Sequence, residues 1–157
     1  MNNNIKISPS LFAADIFDLK SQIKILERCK VDLLHIDVMD GNFVSRMAFG
    51  AEHIQMIKKH TKIPLDVHLM VKYPEKHISD ILEAGADIIT IHQESTSCLY
   101  HCLEMIQRKG RMAGEMPGAG GFSDESQRNS SQFYGRRTNR REKGDSVISV
   151  RKRLFIG

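Results

Sequence analysis

Residues 34–41 read Leu-His-Ile-Asp-Val-Met-Asp-Gly, and residues 66–70 read Asp-Val-His-Leu-Met. Both stretches are apolar enough to be buried strands, yet both contain ionisable side chains. Because side chains alternate between the two faces of a strand, His35 and Asp37 point the same way, and His68 shares a face with the methionine that ends its strand. Burying such groups without partners costs roughly 2–7 kcal/mol. The two stretches therefore predict a site in which polar groups are paired or bind a metal.

The three residues His35, Asp37 and His68 are of types that bind divalent metals. Two imidazole nitrogens and one carboxylate oxygen on neighbouring strands suit zinc, iron, cobalt or manganese. The alternative is that each histidine is a core residue hydrogen-bonded to a neighbour. The three residues together, with Asp66 near them, favour the metal or catalytic interpretation.

Length and composition indicate one domain with a hydrophobic core, because the chain has 157 residues and is 41% hydrophobic. It contains no apolar run of the roughly 18 residues that span a membrane, and the start at residues 1–4 lacks the pattern of a secretory signal. We expect a cytoplasmic protein. Cys29, Cys98 and Cys102 form no even disulfide framework and fit a reducing compartment. A metal cluster of Cys98, His101 and Cys102 is disfavoured, because small apolar residues on a helix face explain both cysteines.

A strand followed by a helix repeats along the chain. Strand starts recur about every 24–31 residues, which is the length of one βα unit. The strands are continuous apolar runs, as in parallel strands that are covered on both faces or closed into a barrel, and functional groups then lie at their C-terminal ends. The predicted strands are 5–7, 33–38, 65–70 and 88–92; the predicted helices are one capped by Asp15 with Ile16, Leu19, Ile23 and Leu26 on one face, then 51–60, 74–84 and 97–108.

Three of these strands carry motifs that resemble the ribulose-phosphate 3-epimerase family. They are the sequences at 8–11 (Ser-Pro-Ser-Leu), 34–44 and 66–71. The resemblance runs in register from about Ile5 to about Arg108, roughly two thirds of the chain. It implies a (β/α)8 TIM barrel that interconverts D-ribulose 5-phosphate and D-xylulose 5-phosphate by moving the proton at C3.

The resemblance also implies the roles of particular residues. In such proteins two His and two Asp hold a divalent metal, and here these would include His35, Asp37 and His68. Removal of a proton beside a carbonyl leaves an enediolate, which a Lewis acid stabilises. Epimerisation further needs an acid/base group on each face of that planar species, and Asp37 matches the first of them.

The remaining residues implied by the resemblance contact the substrate. Ser10 matches a substrate-binding position, and His68 would touch the substrate as well as the metal. Met39 and Met70 match the apolar lining around the enediolate, although an ordinary core role explains each methionine equally well.

The C-terminal third departs from this pattern, so we divide the chain into residues 1–110, the first part of a barrel, and 111–157, a basic, Gly/Ser/Arg-rich tail. A complete barrel needs roughly 200 residues or more. The chain has four clear βα units and the start of a fifth at 112–114. We therefore expect an α/β fold of the (β/α)8 type that is incomplete, followed by an irregular tail. Neither the second acid/base Asp nor the phosphate-binding loops are recognisable in that tail.

The basic excess lies entirely in the tail. Residues 1–110 hold 13 basic and 14 acidic residues, whereas residues 111–157 hold 10 and 5. The clusters at 136–137, 140–141 and 151–153 have three interpretations: a nucleic-acid-binding arm, a disordered segment with incidental charge, or out-of-frame sequence joined to a genuine barrel segment. The abrupt loss of the pattern favours the third.

Three functions stay open at this level. The first is the metal-dependent epimerase itself, and the second is an epimerase of a related ketose phosphate such as allulose 6-phosphate. The third is a non-catalytic barrel fragment that acts as a binding or association module. We expect a phosphorylated ketose as substrate and, because an open sheet leaves an unpaired edge, a homo-oligomer. We expect neither a membrane nor a nucleic-acid partner.

The out-of-frame interpretation makes a prediction about the coding DNA. Translation of the other two frames after the codon of Arg108 should recover alternating apolar strands and helices of barrel type. Absence of such a pattern in both frames would contradict this interpretation of the tail.

Overall fold

Strands and helices alternate along the chain, as predicted. The structure is a computed structural model that describes residues 6–116, 132–134 and 147–150. The strands are β1 Lys6–Pro9, β2 Leu34–Met39, β3 Leu65–Met70, β4 Ile88–His92, β5 Met112–Met116, β6 Gln132–Tyr134 and β7 Val147–Val150. The helices are α1 Leu19–Arg28, α2 Ala51–His60, α3 Ile78–Glu83 and α4 Leu99–Arg108. Short 3-10 turns lie at Leu11–Ala13, Ile16–Asp18, Pro74–Lys76 and Gln93–Ser95.

The main sheet consists of β2, β3, β4 and β5 in chain order, all parallel, with β6 antiparallel on β5. The register of β2 on β3 sets His35 beside Asp66 and Asp37 beside His68. β1 pairs in parallel with β7 and reaches β2 through a parallel bridge between Ser10 and His35. Parallel strands joined by helices confirm the incomplete (β/α) barrel type.

The hydrophobic core lies between one face of this sheet and the helices that cover it. Side-chain alternation sends the aliphatic residues of each strand to that face, and their positions are fully or nearly fully buried. The strand contribution is Leu34, Ile36, Val38, Leu65, Val67, Leu69, Ile89 and Ile91; the helix contribution includes Ile54, Ile57, Ile78, Ile81, Leu103 and Ile106. The opposite face of β2 and β3 is left for the polar residues.

Several predicted boundaries are confirmed, and the predicted first helix is wrong at its start. α2, β3 and β4 have the predicted bounds, whereas β2 begins one residue later than predicted and α4 begins at Leu99. β1 extends to Pro9, beyond its predicted end at Ile7, and its predicted start at Ile5 lies outside the described residues. The Asp15 side chain accepts a hydrogen bond from the Phe17 amide at 2.9 Å, so it caps a separate 3-10 turn rather than α1. Ile16 is therefore 62% exposed and does not share the buried face of Ile23.

The predicted helix 74–84 is divided for a similar reason. The His77 amide donates to the Pro74 carbonyl at 2.9 Å, which closes a 3-10 turn, and α3 begins only at Ile78. Pro74 itself is buried at the start of that turn, as its missing amide donor permits. Pro74 lies in the first turn of the segment, as predicted, but the α-helix is shorter than predicted.

The predicted start of a fifth unit is confirmed by β5, which lies in the segment assigned to the tail. The basic clusters at 136–137, 140–141 and 151–153 lie outside the described residues. Among the helices in the part of the chain that the structure describes, none is long and apolar enough to cross a membrane.

Ile89 on β4 is buried, whereas Ile16 in the 3-10 turn before α1 is exposed, so the same substitution should change the free energy of unfolding unequally at the two positions. Ile89→Val removes a buried methyl group from β4 and should lower the free energy of unfolding by about 1 kcal/mol. The same change at the exposed Ile16 should alter it by less than about 0.5 kcal/mol. Chemical denaturation of the full chain measures both, and equal effects would contradict the described core.

Candidate active site and metal centre

His35 lies on β2 with its ring between two carboxylates. Its Nδ1 atom is 2.8 Å from Asp66 Oδ2 on β3, and its Nε2 atom is 3.2 Å from Asp37 Oδ1. His35, Asp37 and Asp66 each expose 5% or less of their surface. The β2–β3 register brings them together, since it sets His35 beside Asp66. This arrangement gives the buried imidazole a partner at each nitrogen.

Asp37 is the centre of the polar cluster. Besides His35, its Oδ1 atom lies 3.4 Å from Nδ1 of His68, and its Oδ2 atom accepts a hydrogen bond from the Ser10 hydroxyl at 2.8 Å. Three strands thus converge on one carboxylate: β2 carries Asp37, β3 carries His68, and Ser10 directly follows β1. The predicted grouping of these residues is present in the structure.

His68 is 2% exposed, and its ring stacks on that of His92 at the end of β4. The ring centroids are 4.8 Å apart, and the two Nε2 atoms lie 2.8 Å apart. Nδ1 of His92 is in turn 3.5 Å from Oε1 of Glu94. The ring of Phe43 also lies against that of His92, with centroids 5.0 Å apart and the ring planes tilted by 48°.

The two predicted lining methionines occupy the ends of the same strands. Met39 is paired in register with Met70, one position beyond Val38 and Leu69. By side-chain alternation, Met39 shares the face of His35 and Asp37, and Met70 shares that of His68. Met70 is buried and Met39 is half-buried, so they lie towards the C-terminal edge of the site.

Charge interactions determine the protonation of this cluster. Burial lowers the pKa of His35, but its hydrogen bonds to Asp37 and Asp66 outweigh burial and raise that pKa to about 9. For Asp37, burial raises the pKa, but the hydrogen bonds from His35 and His68 outweigh it and hold the pKa well below the usual range. In the absence of a metal, His35 is therefore protonated and Asp37 ionised at neutral pH.

The donor set fits a divalent metal. One ligand atom from each of His35, Asp37 and His68 lies within 4.8 Å of the others, and all three residues are buried. Oδ1 of Asp66 is also buried and has no hydrogen-bond partner among the described residues. The two carboxylates around His35, those of Asp37 and Asp66, would favour a cation that replaces the His35 proton. The cluster could therefore bind a metal.

A second group of potential ligands lies outside this cluster. Glu75, Cys98 and Cys102 have ligand atoms within 4.8 Å of one another, and the Thr96 hydroxyl donates to Oε2 of Glu75 at 2.9 Å. Burial raises the pKa of the Cys102 thiol to about 11, so this thiol is protonated at neutral pH. His101 is exposed on α4 and does not belong to the group.

The Asp40 side chain bonds backbone amides and so has a structural role. Its Oδ1 atom accepts hydrogen bonds from the amides of Asn42 and Phe43 at 2.8 and 2.9 Å, and its Oδ2 atom accepts one from the amide of Lys72 at 2.8 Å. These bonds join the loop after β2 to the end of β3. They hold Phe43 against the site.

Asp66 was expected near the site but without a role, and His92 was not among the predicted site residues. The period of two that placed His35 and Asp37 on one face also places Thr90 and His92 on one face of β4, and Thr90 is beside His68 in register. The same count would therefore have brought His92 to the site.

Fold and site together define a class of protein. Parallel strands alternating with helices, with Asp37, His68 and His92 in the C-terminal halves of their strands, are typical of (β/α)-barrel enzymes. A model of the ribulose-phosphate 3-epimerase family matches residues 6–116, and the chain belongs to this family. The match includes β5, beyond the residues on which the sequence resemblance was based.

Individual relatives give the same result. The chain is 39% identical over 110 residues to ribulose-phosphate 3-epimerase of Bacillus subtilis (strain 168), covering 70% of this chain and 51% of the relative. It is 40% identical over 116 residues to the protein of that name from Synechocystis, covering 73% and 50%. For the chloroplastic ribulose-5-phosphate-3-epimerase of Arabidopsis thaliana, identity is 39% over 114 residues, covering 71% and 41%. The chain spans about half the length of these relatives or less.

The bonds of Asp40 predict a pH-dependent contribution to stability. They lower the pKa of Asp40 in the folded chain, in spite of burial, which raises it. The Asp40→Asn variant should be less stable than the wild type by roughly 1 kcal/mol at pH 7. This difference should be complete above the ordinary Asp pKa of about 4 and disappear as pH falls through the lowered value, because Asp40 is then protonated in both states.

Denaturation at several pH values measures this difference, with Asp80→Asn on the exposed surface of α3 as the matched control. A difference between wild type and Asp40→Asn that stays constant down to acidic pH would contradict the assigned role of the carboxylate.

Proposed function

We propose that the chain carries the N-terminal half-site of a metal-dependent ribulose-phosphate 3-epimerase. The substrate would be D-ribulose 5-phosphate and the product D-xylulose 5-phosphate, through proton transfer at C3. The observation that carries this proposal is the convergence of His35, His68 and Ser10 on one ionised carboxylate, that of Asp37. Family membership and the names of the relatives support it.

Asp37 would take or return the C3 proton. The carboxylate form of Asp37 can accept a proton, and the hydroxyl of Ser10, which directly follows β1, donates a hydrogen bond that fixes the orientation of that carboxylate. Met39 and Met70 would exclude water beside the reacting carbons. Ser10 and His68 would contact the substrate through their polar groups.

The residues that would hold the metal are His35, Asp37 and His68. A divalent cation of zinc, iron, manganese or cobalt bound there would act as a Lewis acid that polarises the substrate carbonyl and stabilises negative charge on its oxygen. To bind a metal through Nε2, His35 would have to lose the proton that lies between this nitrogen and Asp37, since a ligating imidazole nitrogen must be deprotonated.

Two finer assignments belong to the same proposal. A related ketose phosphate, such as allulose 6-phosphate, would present the same carbonyl and C3 hydrogen to Asp37 and is an alternative substrate. A cytoplasmic location fits membership of this family. A homo-oligomeric state fits the described sheet, which is open and leaves an unpaired edge.

A second candidate function is a non-catalytic binding or association module. Epimerisation needs an acid/base group on each side of the planar intermediate. Among the described residues, Asp37 is the one carboxylate in the group that could bind a metal, and the Asp66 carboxylate lies at Nδ1 of His35, on the side of that ring away from Asp37. This favours a chain that binds metal and substrate, or a partner, without completing the reaction.

Hydrogen exchange in heavy water tests these candidates. The full chain, zinc and ribulose 5-phosphate are incubated, and deuterium at C3 is followed together with formation of xylulose 5-phosphate. We expect deuterium to enter C3, and Asp37→Asn should reduce the rate by at least about 100-fold, with Asp80→Asn as the matched control. Exchange with epimerised product indicates a complete enzyme, and exchange without product indicates a half-site.

No exchange from a folded, zinc-loaded chain would overturn the catalytic proposal and leave the binding module. Exchange that is unchanged in Asp37→Asn would overturn the role of that carboxylate.

A further inference from the structure

Each histidine of the candidate metal centre directs one ring nitrogen towards Asp37 and the other away from it. In His35, Nε2 faces Asp37 at 3.2 Å and Nδ1 faces Asp66 at 2.8 Å. In His68 the assignment is reversed, since Nδ1 faces Asp37 at 3.4 Å and Nε2 faces Nε2 of His92 at 2.8 Å. The two rings therefore offer different nitrogens to the same point.

A neutral imidazole carries one proton, so the nitrogen that donates a hydrogen bond cannot also bind a metal. At His35, the nitrogen that faces away from Asp37 is Nδ1, and its partner is the Asp66 carboxylate, which can only accept a hydrogen bond. Asp66 is 4% exposed, and its Oδ2 atom also lies 3.4 Å from the Ser8 hydroxyl, which holds the carboxylate in place. It therefore keeps the proton on Nδ1 and leaves Nε2 free.

At His68, the nitrogen that faces away from Asp37 is Nε2, and its partner is the imidazole of His92. Whether His92 accepts or donates in this contact depends on which of its own nitrogens carries the proton. Nδ1 of His92 lies 3.5 Å from Oε1 of Glu94, which is an ion-pair distance rather than a hydrogen bond, and the negative charge of this carboxylate favours a proton on that nitrogen. Nε2 of His92 is then an acceptor and receives the Nε2 proton of His68. The ring stacking at 4.8 Å and the neighbouring Phe43 fix the plane of His92 for this bond.

From this geometry we propose that Asp66 and His92 are positioning residues that select which nitrogen of each metal-ligand histidine is available: Nε2 of His35 and Nδ1 of His68. Each acts from the next strand of the sheet, Asp66 on β3 upon His35 on β2, and His92 on β4 upon His68 on β3. This inference rests on the proposed metal site. Buried hydrogen-bond acceptors behind ligand histidines generally change metal affinity 10- to 100-fold when removed.

The direct test is long-range ¹H–¹⁵N NMR of the zinc-loaded full chain with ¹⁵N-labelled histidine. We expect His35 to carry its proton on Nδ1 and to bind zinc through Nε2, and His68 to show the opposite assignment. The same nitrogen bound in both rings, or the reverse pair, would overturn the proposal without any variant.

Variants add a second readout, zinc affinity by titration calorimetry, with folding followed by circular dichroism. Asp66→Asn can donate as well as accept and should weaken zinc binding about 10- to 100-fold, as should His92→Phe, which keeps a ring but no acceptor. Asp80→Asn and His101→Phe, both at exposed positions, are the matched controls and should bind as the wild type does.

The outcomes separate this proposal from the proposed function. Wild-type affinity in folded Asp66→Asn and His92→Phe would overturn the positioning role and leave the metal site intact. A wild-type chain that binds no zinc would overturn both.

Discussion

The burial of the Asp37 carboxylate between two imidazoles is the constraint on which the rest of the structure depends. A buried charge without partners is too costly for a domain that is stable by only about 5–15 kcal/mol. The partners come from β3 and from the end of β1, so their strands must pair with β2 in one register. A slip of one residue would turn His68 to the helix face and leave Asp37 without it.

The same alternation divides the sheet into two environments. On one face, aliphatic residues such as Ile36, Val67 and Ile89 pack against the helices and supply the hydrophobic free energy. On the other face, the polar residues of β2, β3 and β4 meet. In the described part of the chain, the sheet thus gains stability from the face that packs against the helices and supports chemistry on the other face. Loops such as that held by Asp40 border the site.

Much of this could be predicted from sequence because the apolar period is strong. The bounds of α2, β3 and β4, and the shared face of His35 and Asp37, follow from periodicity alone. The start of α1 was predicted wrongly because the Asp15 side chain bonds a nearby amide and forms a local turn, which apolar spacing does not reveal.

The finer geometry of the site could not be predicted from sequence. Which ring nitrogen of His35 or His68 faces which partner depends on strand register and side-chain rotation, and both arise only when β2, β3 and β4 are assembled. The strands at 132–134 and 147–150 were not predicted either, since the segment from 111 onward has no apolar period long enough to indicate them.

X-ray absorption spectroscopy at the zinc edge, on the full chain loaded with one equivalent of zinc, tests the central claim most directly. The account predicts a first shell of nitrogen and oxygen at about 2.0–2.1 Å, with the multiple-scattering signature of two imidazoles and no sulfur. In His35→Ala, the multiple-scattering signature should fall from two imidazoles to one. A shell with sulfur at about 2.3 Å would place the metal at Cys98 and Cys102 instead and contradict the account.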